Sequence, residues 1–357
     1  MPRRKTLAVI TGCAGRLGQI LVRRLHRQPG MRIVGIDRRS FDRKPADVEH
    51  LRIDIRRKAC EDLFRTRRVD IVYHLGLMHD PRKGSGEHHT WNLIGTQRIF
   101  EYAHRYRVPK VVILSSGDVY GPMHDNPAFI TEDAPLLGAE HFSGIRDLIV
   151  VDMFAQSAFW KYPEIETVVL RPAHILGRVR NAMSNYMRMR AHPVLFGYDP
   201  MMQVLHEEDA VSAILAAARP GVRGVFNVVG PSALPLRRLL AETGRPIVEL
   251  PHFLVPSAAS RLYGLRLSDM PSAETDYLRY AITLDGRRSR ELLRFEPRYG
   301  AREAVLSAKG MSIFDGGIAD PVPPASQSPA SLQSSTPPRS PATSPQPDGP
   351  VADAAST

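Results

Sequence analysis

The chain has 357 residues, 43% apolar and 24% charged, a composition that excludes a fibrous or wholly disordered protein and a mini-protein held by staples. Two cysteines, Cys13 and Cys60, are too few for a disulfide framework or a four-thiolate metal site, and no run approaches the roughly 18–20 apolar residues of a transmembrane helix. The net charge of +11 is concentrated in residues 1–68, where 19 basic residues face 7 acidic ones; the rest of the chain is close to neutral. Arginines scattered without aromatic interleaving read as a solvated surface, so nucleic acid is not the expected partner. The apolar run at residues 7–10 is too short for a signal-peptide core, and a cytoplasmic protein acting on a small molecule is expected.

In chain order, residues 7–11 read as a strand, 17–27 as a helix, 32–36 and 50–53 as strands, 70–75 as a strand and 87–105 as a helix. A strand at 110–115, a helix at 144–160 and a strand at 167–170 follow; in that last helix Ile145, Leu148, Ile149, Asp152 and Met153 recur at helical spacing. The rhythm predicts an α/β protein with a Rossmann-type doubly wound parallel sheet. Beyond it, Pro172, Pro193, Pro200, Pro231 and Pro235 interrupt the pattern. The expected organisation is a dinucleotide-binding domain over 1–175 that also receives about 200–230, and a small substrate lobe over 176–315. The Pro- and Ser-rich residues 316–357 are expected to be a disordered tail, because they cannot bury enough apolar surface to offset their ordering entropy.

The first strand runs into Thr11-Gly12-Cys13-Ala14-Gly15-Arg16-Leu17-Gly18 and then a helix. Glycines here allow a sharp turn and close approach to a pyrophosphate, and the helix start offers unpaired N–H groups to the phosphates. Asp37 ends the second strand about 20 residues on, where a carboxylate would take the adenosine ribose hydroxyls. Asp37 favours NAD; Arg38 and Arg39 behind it are guanidinium groups of the kind NADP needs, which leaves NADP open.

With these residues the chain resembles the extended short-chain dehydrogenase/reductase family, in its NAD-dependent epimerase/dehydratase group. Further matches are Asp54-Ile55, Tyr73-His74-Leu75-Gly76, Asn92-x-x-Gly95-Thr96, Leu114-Ser115-Ser116-Gly117-Asp118-Val119-Tyr120-Gly121, Leu170-Arg171-Pro172, Leu205-His206-Glu207-Glu208-Asp209 and Val225-Phe226-Asn227-Val228. The resemblance implies a homodimer joined through two long helices and a nucleotide-sugar-like or other hydroxylated substrate. It places Gly12, Gly15, Arg16, Leu17, Gly18, Asp37, Arg38, Asp54, Ile55, Leu75, Gly76, Asn92 and Pro172 around the cofactor, with His174 as a further pocket wall, and Ser116 on the reacting oxygen. Family members also use a tyrosine and, four residues on, a lysine. Setting Arg146-Asp147 in register puts Gly144 and Leu148 at those places, so both groups are expected to be missing. Tyr106 and Lys110 share the spacing but precede the fifth strand, with Pro109 between them. His141 is then the candidate substitute acid/base, against the alternative of an exposed loop histidine, with Tyr120 and Asp118 as further candidates of weaker claim because the Val-Tyr-Gly element is chiefly a structural turn in relatives. His74, His79, His88 and His89 lack the spacing of a metal helix, and no metal is expected. Residues 181–190, rich in Met and Arg, read either as a wall for an anionic substrate or as a basic surface helix.

Overall fold

The computed structural model describes residues 4–78, 85–139, 145–252 and 272–310. Seven strands form one parallel sheet: β1 (Thr6–Thr11), β2 (Met31–Ile36), β3 (Glu49–Leu51), β4 (Ile71–His74), β5 (Lys110–Leu114), β6 (Glu166–Pro172) and β10 (Gly224–Val228). Their spatial order is β10-β6-β5-β4-β1-β2-β3, so the winding reverses between β1 and β4. Both faces are covered, which is why the strands read as apolar runs rather than alternating ones. Ala8 and Ile10 face a core shared with Ile20, Leu21 and Leu25 of α1 (Arg16–His26) and Val211 and Ile214 of α7 (Glu207–Ala217). Leu7 and Val9 face the opposite core, with Leu63 and Phe64 of α2 (Lys58–Thr66), Ile99 and Phe100 of α4 (Gly95–Arg105), and Val151 and Ala155 of α5 (Arg146–Lys161).

The doubly wound parallel sheet expected from the sequence is present. Single elements differ from expectation. The helix expected over 87–105 is three pieces: α3 (Ser85–His89), a π turn (Thr90–Ile94) and α4. Met153 of α5, expected on the apolar side, is 58% exposed. Beyond β6, β7 (His174–Leu176), β9 (Met201–His206) and β11 (Ala233–Pro235) form a second sheet, and β8 (His192–Leu195) pairs with β12 (Ile247–Leu250). These surround a third core that includes Met183, Tyr186 and Met187 of α6 (Ala182–Met187). Met183 and Met187 are therefore core while Met189 is 37% exposed, and Arg188 between them donates to the carbonyls of Gly177, Val179 and Ala308. The Pro- and Ser-rich residues 316–357 lie outside the described residues.

Candidate active site

Thr11 of β1, His74 of β4, Ile113 of β5 and Val169 of β6 stand side by side in the sheet register, so the chain leaves all four strands at one edge. In a parallel sheet the crevice outside these carboxyl ends, where the winding reverses, is where ligands bind.

At the end of β1, Gly12 turns with a φ of 74°, a left-handed conformation that L side chains resist. A Cβ on Gly12 would lie 2.8 Å from the Leu75 carbonyl oxygen and Gly76 Cα, and one on Gly18 would lie 2.7 Å from Cys13 Cα. The glycines thus let the turn sit against the strand-end loop of β4 and against its own helix. Gly15 precedes α1 without any side-chain cap, so the first-turn N–H groups of Arg16, Leu17 and Gly18 point out unclaimed by the helix. The Arg16 side chain turns away: its Nε donates to Glu207 Oε1 at 2.9 Å, tying the glycine turn to the start of α7.

Asp37 is 8% exposed at the end of β2. Its Oδ2 accepts from Ala14 N at 3.1 Å and Arg39 Nη2 at 3.0 Å, and its Oδ1 from Arg39 N at 2.9 Å and Arg39 Nε at 3.1 Å. Burial works against the charge, but these donors outweigh it and hold the carboxyl below its usual range. The Arg39 side chain is 67% exposed, so this pair lies at the surface on the arginine side and is buried on the carboxylate side. Arg38 instead lays its guanidinium over the Trp91 ring, 4.0 Å from the centroid. Asp54 is held by Arg56, and Ile55 is a core side chain at 2% exposure on which Gly95 packs.

The loop after β4 is fixed by the π turn. Trp91 Nε1 donates to the Gly76 carbonyl at 2.6 Å, and Asn92 clamps Met78 twice, accepting from its N at 2.6 Å and donating to its O at 2.9 Å. Beneath it lies a fully buried chain: His74 Nδ1 meets Thr11 Oγ1 at 2.7 Å, His74 Nε2 meets Thr96 Oγ1 at 3.0 Å, and Thr96 Oγ1 donates to the Asn92 carbonyl at 2.5 Å. Because Thr96 spends its proton on that carbonyl, it accepts from His74 Nε2–H, and Nδ1 accepts from Thr11. Burial pushes the His74 pKa down to about 4, consistent with this neutral ring.

Past β5, Ser115 and Ser116 part company. Ser115 Oγ donates inward to Asp152 of α5 at 2.6 Å, where Arg171 Nη2 also meets Asp152 at 2.6 Å and Arg171 Nη1 donates to the Tyr120 hydroxyl at 2.8 Å. Tyr120 donates in turn to Asn227 Oδ1 at 2.8 Å, and burial lifts its pKa to about 12, so it is a buried structural phenol. Ser116 is half-exposed and caps the short turn after β5: it accepts from Asp118 N at 3.2 Å and donates to Asp118 Oδ2 at 2.9 Å. The other oxygen of Asp118 faces His174 Nδ1 at 3.5 Å, and the His174 ring meets Tyr277 edge to face with centroids 5.9 Å apart. Pro172 ends β6, its carbonyl oxygen 2.9 Å from where a Cβ on Gly117 would lie. Leu148, in the first turn of α5, is 3% exposed in an apolar cluster with Val119, Ala173 and Tyr277. His141 and Gly144 lie outside the described residues.

Local reading of the sequence missed the Arg16–Glu207 pair and the grouping of Asp118, His174 and Tyr277, whose members lie far apart in the chain. The signals for the second grouping were that Asp118 and His174 each follow a strand end and that the resemblance put His174 in the pocket wall.

Comparison with known proteins agrees with this architecture. An uncharacterised protein of Mycobacterium tuberculosis strain H37Rv is 27% identical over 312 residues, covering 85% of this chain and 83% of its own. A UDP-glucose 4-epimerase of Dictyostelium discoideum is 29% identical over 159 residues, covering 43% of this chain and 41% of that protein. The solved UDP-glucose 4-epimerase of Thermotoga maritima, with UDP-glucose, superposes with a TM-score of 0.66 at 18% identity, covering 87% of this chain and 99% of that one. UDP-glucuronic acid 4-epimerase of Bacillus cereus, solved with NAD, superposes at 0.65 with 16% identity, covering 85% and 97%. The structural likenesses establish the fold. The profile of the NAD dependent epimerase/dehydratase family matches residues 8–229, more than half of the chain, and the chain belongs to that family.

Proposed function

We propose that the protein binds NAD and oxidises a hydroxyl group of a nucleotide-sugar-like or other hydroxylated small molecule through a non-standard proton-transfer site, working as a homodimer. One observation carries the reading: the glycine turn lies at the carboxyl end of β1, beside the winding reversal, with the uncapped start of α1 on one side and Asp37 on the other. The residues fit a dinucleotide, since the turn tolerates no Cβ at Gly12 or Gly18 and leaves helix N–H groups unclaimed. Gly12, Gly15, Arg16, Leu17 and Gly18 would hold the pyrophosphate through their backbone, and Asp37 the adenosine ribose. Arg38, Asp54, Ile55, Leu75 and Gly76 would flank the adenosine half, and Asn92 and Pro172 the nicotinamide end. When bound, the cofactor supplies a two-electron acceptor for the substrate's carbinol carbon. The Ser116 hydroxyl donates its hydrogen bond to Asp118 Oδ2, so its oxygen can accept a hydrogen bond from a substrate hydroxyl but not donate one.

The buried leucine at position 148 favours a second reading, a redox-inactive relative that uses NAD as a structural or sensing ligand. Titration calorimetry with NAD+ and chromatography of UDP-glucose, UDP-galactose and UDP-glucuronic acid after incubation separate the two. The first reading expects binding and conversion of at least one sugar, with NAD+ affinity lowered about tenfold or more by Asp37→Ala. Binding with no conversion supports the second reading, and absence of NAD+ binding overturns both.

A further inference from the structure

We propose that His174, oriented by Asp118, is the catalytic acid/base of this site. The proposal rests on the NAD-dependent reading above and names the group that moves the proton in it. As described, α5 carries no tyrosine, and its one lysine, Lys161, is its last residue, so the helix offers neither a phenol nor an ammonium near its start. Four other titratable candidates near the strand ends are already committed. His74 uses both ring nitrogens, Tyr120 is tied to Arg171 and Asn227, Asp152 to Arg171 and Ser115, and Asp37 to Arg39 and Ala14.

His174 differs in place and in partners. Leu114 and Leu170 are register neighbours, so the residues that follow β5 and β6 emerge together at the crevice edge: Ser116 and Asp118 from one strand, His174 from the other. The Asp118 carboxylate accepts a hydrogen bond from Ser116 Oγ on Oδ2 and faces His174 Nδ1 across 3.5 Å with Oδ1. A carboxylate against one ring nitrogen fixes the proton there and turns the lone pair of the other outward. Nε2 has no hydrogen-bond partner among the described residues, and the ring is 13% exposed, sheltered by the edge of Tyr277 yet reachable. Val119, Ile145, Leu148, Ala173 and Leu284 keep the surroundings apolar, which strengthens any charge interaction formed there. A separation of 3.5 Å without ligand is of the kind that closes when substrate binds.

In the step itself a secondary alcohol gives its O–H proton to His174 Nε2. Its carbinol hydrogen would leave with the bonding electron pair, for which bound NAD+ would supply the two-electron acceptor. The products are a ketone, NADH and an imidazolium, and the reverse step returns the proton. Asp118 acts through His174 and is a positioning residue.

The test uses the full chain with NAD+ and the three nucleotide sugars above. His174→Gln is expected to lower kcat about 10²- to 10⁴-fold, with KM within about threefold. NAD+ affinity by calorimetry should stay within about twofold, a readout independent of turnover. Added imidazole should restore part of the kcat of His174→Ala, which a packing role would not allow, and Asp118→Asn should lower kcat while leaving KM and NAD+ affinity in place. Retention of wild-type kcat by His174→Gln, absence of imidazole rescue, or loss of activity in Tyr277→Phe with His174→Gln spared would each overturn the proposal while leaving NAD-dependent oxidation standing. A wild-type chain that binds no NAD+ or converts none of the three sugars would overturn the underlying reading, and the proposal with it.

Discussion

Arg171 and Asp152 are 1% and 0% exposed, and what makes that burial tolerable is that their neighbours complete the hydrogen bonding: Ser115 on the carboxylate, Tyr120 and the Glu132 carbonyl on the guanidinium. Removing one partner leaves a buried charge without its counterpart. Arg171→Met is expected to cost about 3–5 kcal/mol in urea unfolding, and the double change Arg171→Met with Asp152→Leu less than the single one; equal costs would show that the pair is not what the core depends on. The buried histidines set the acid limb of stability. Burial pushes His74 to about 4, and burial followed by the nearby Arg16 does the same for His206. Both bind a proton in the unfolded chain below about 6.5 and resist it when folded, so their stabilisation is present above that pH and drains away as pH falls towards 4, about 3 kcal/mol each at most. Unfolding midpoints measured between pH 7 and 4.5 should fall, and fall less steeply in His74→Asn. In the sequence His74 was one of four clustered histidines; its role depends on Thr11 and Thr96, which only the sheet brings to it.

The segment after β4 shows what an element-level reading can and cannot reach. A continuous helix over 87–105 satisfied the apolar spacing, and α4 is indeed helical, but one π turn at Thr90–Ile94 redirects Trp91 to the Gly76 carbonyl and Asn92 to Met78. Such single-turn insertions leave no mark in composition, and they concentrate at functional sites. β1, α1 and β2 were legible because glycine punctuation and apolar period agreed there; α2 and α7 are equally regular helices, yet sparse apolar content in one and preceding prolines in the other hid them. Asn92→Ala removes two hydrogen bonds that hold the loop carrying Leu75 and Gly76 against the glycine turn. The expected result is a stability loss of about 1–3 kcal/mol by chemical denaturation, accompanied by weaker NAD+ binding in calorimetry. Lost stability with unchanged NAD+ affinity would separate that loop from the cofactor site.

At the scale of the molecule, charge and exposed apolar surface lie on different parts of the chain. The positive excess sits in residues 1–68, whereas α5 carries two basic and two acidic residues and is neutral over its length. Its inner side is buried through Leu148, Val151, Ala155 and Ala158, and Phe154 locks it edge to face against Phe100 of α4. Met153 and Trp160, seven residues apart and so on one stripe, stay 58% and 87% exposed. An indole left in water on a neutral helix is an anchor for an apolar contact, and two copies of this stripe would cover each other in the proposed homodimer. Burying both should make association nearly indifferent to salt despite the net charge of +11, because the helix that makes the contact is itself neutral. Sedimentation of the wild-type chain is expected to give twice the monomer mass of 39.8 kDa at both low and high salt, and Trp160→Glu the monomer, since a carboxylate would have to be desolvated at the centre of the contact. A wild-type monomer, or a Trp160→Glu chain that still pairs, would move the interface off this helix.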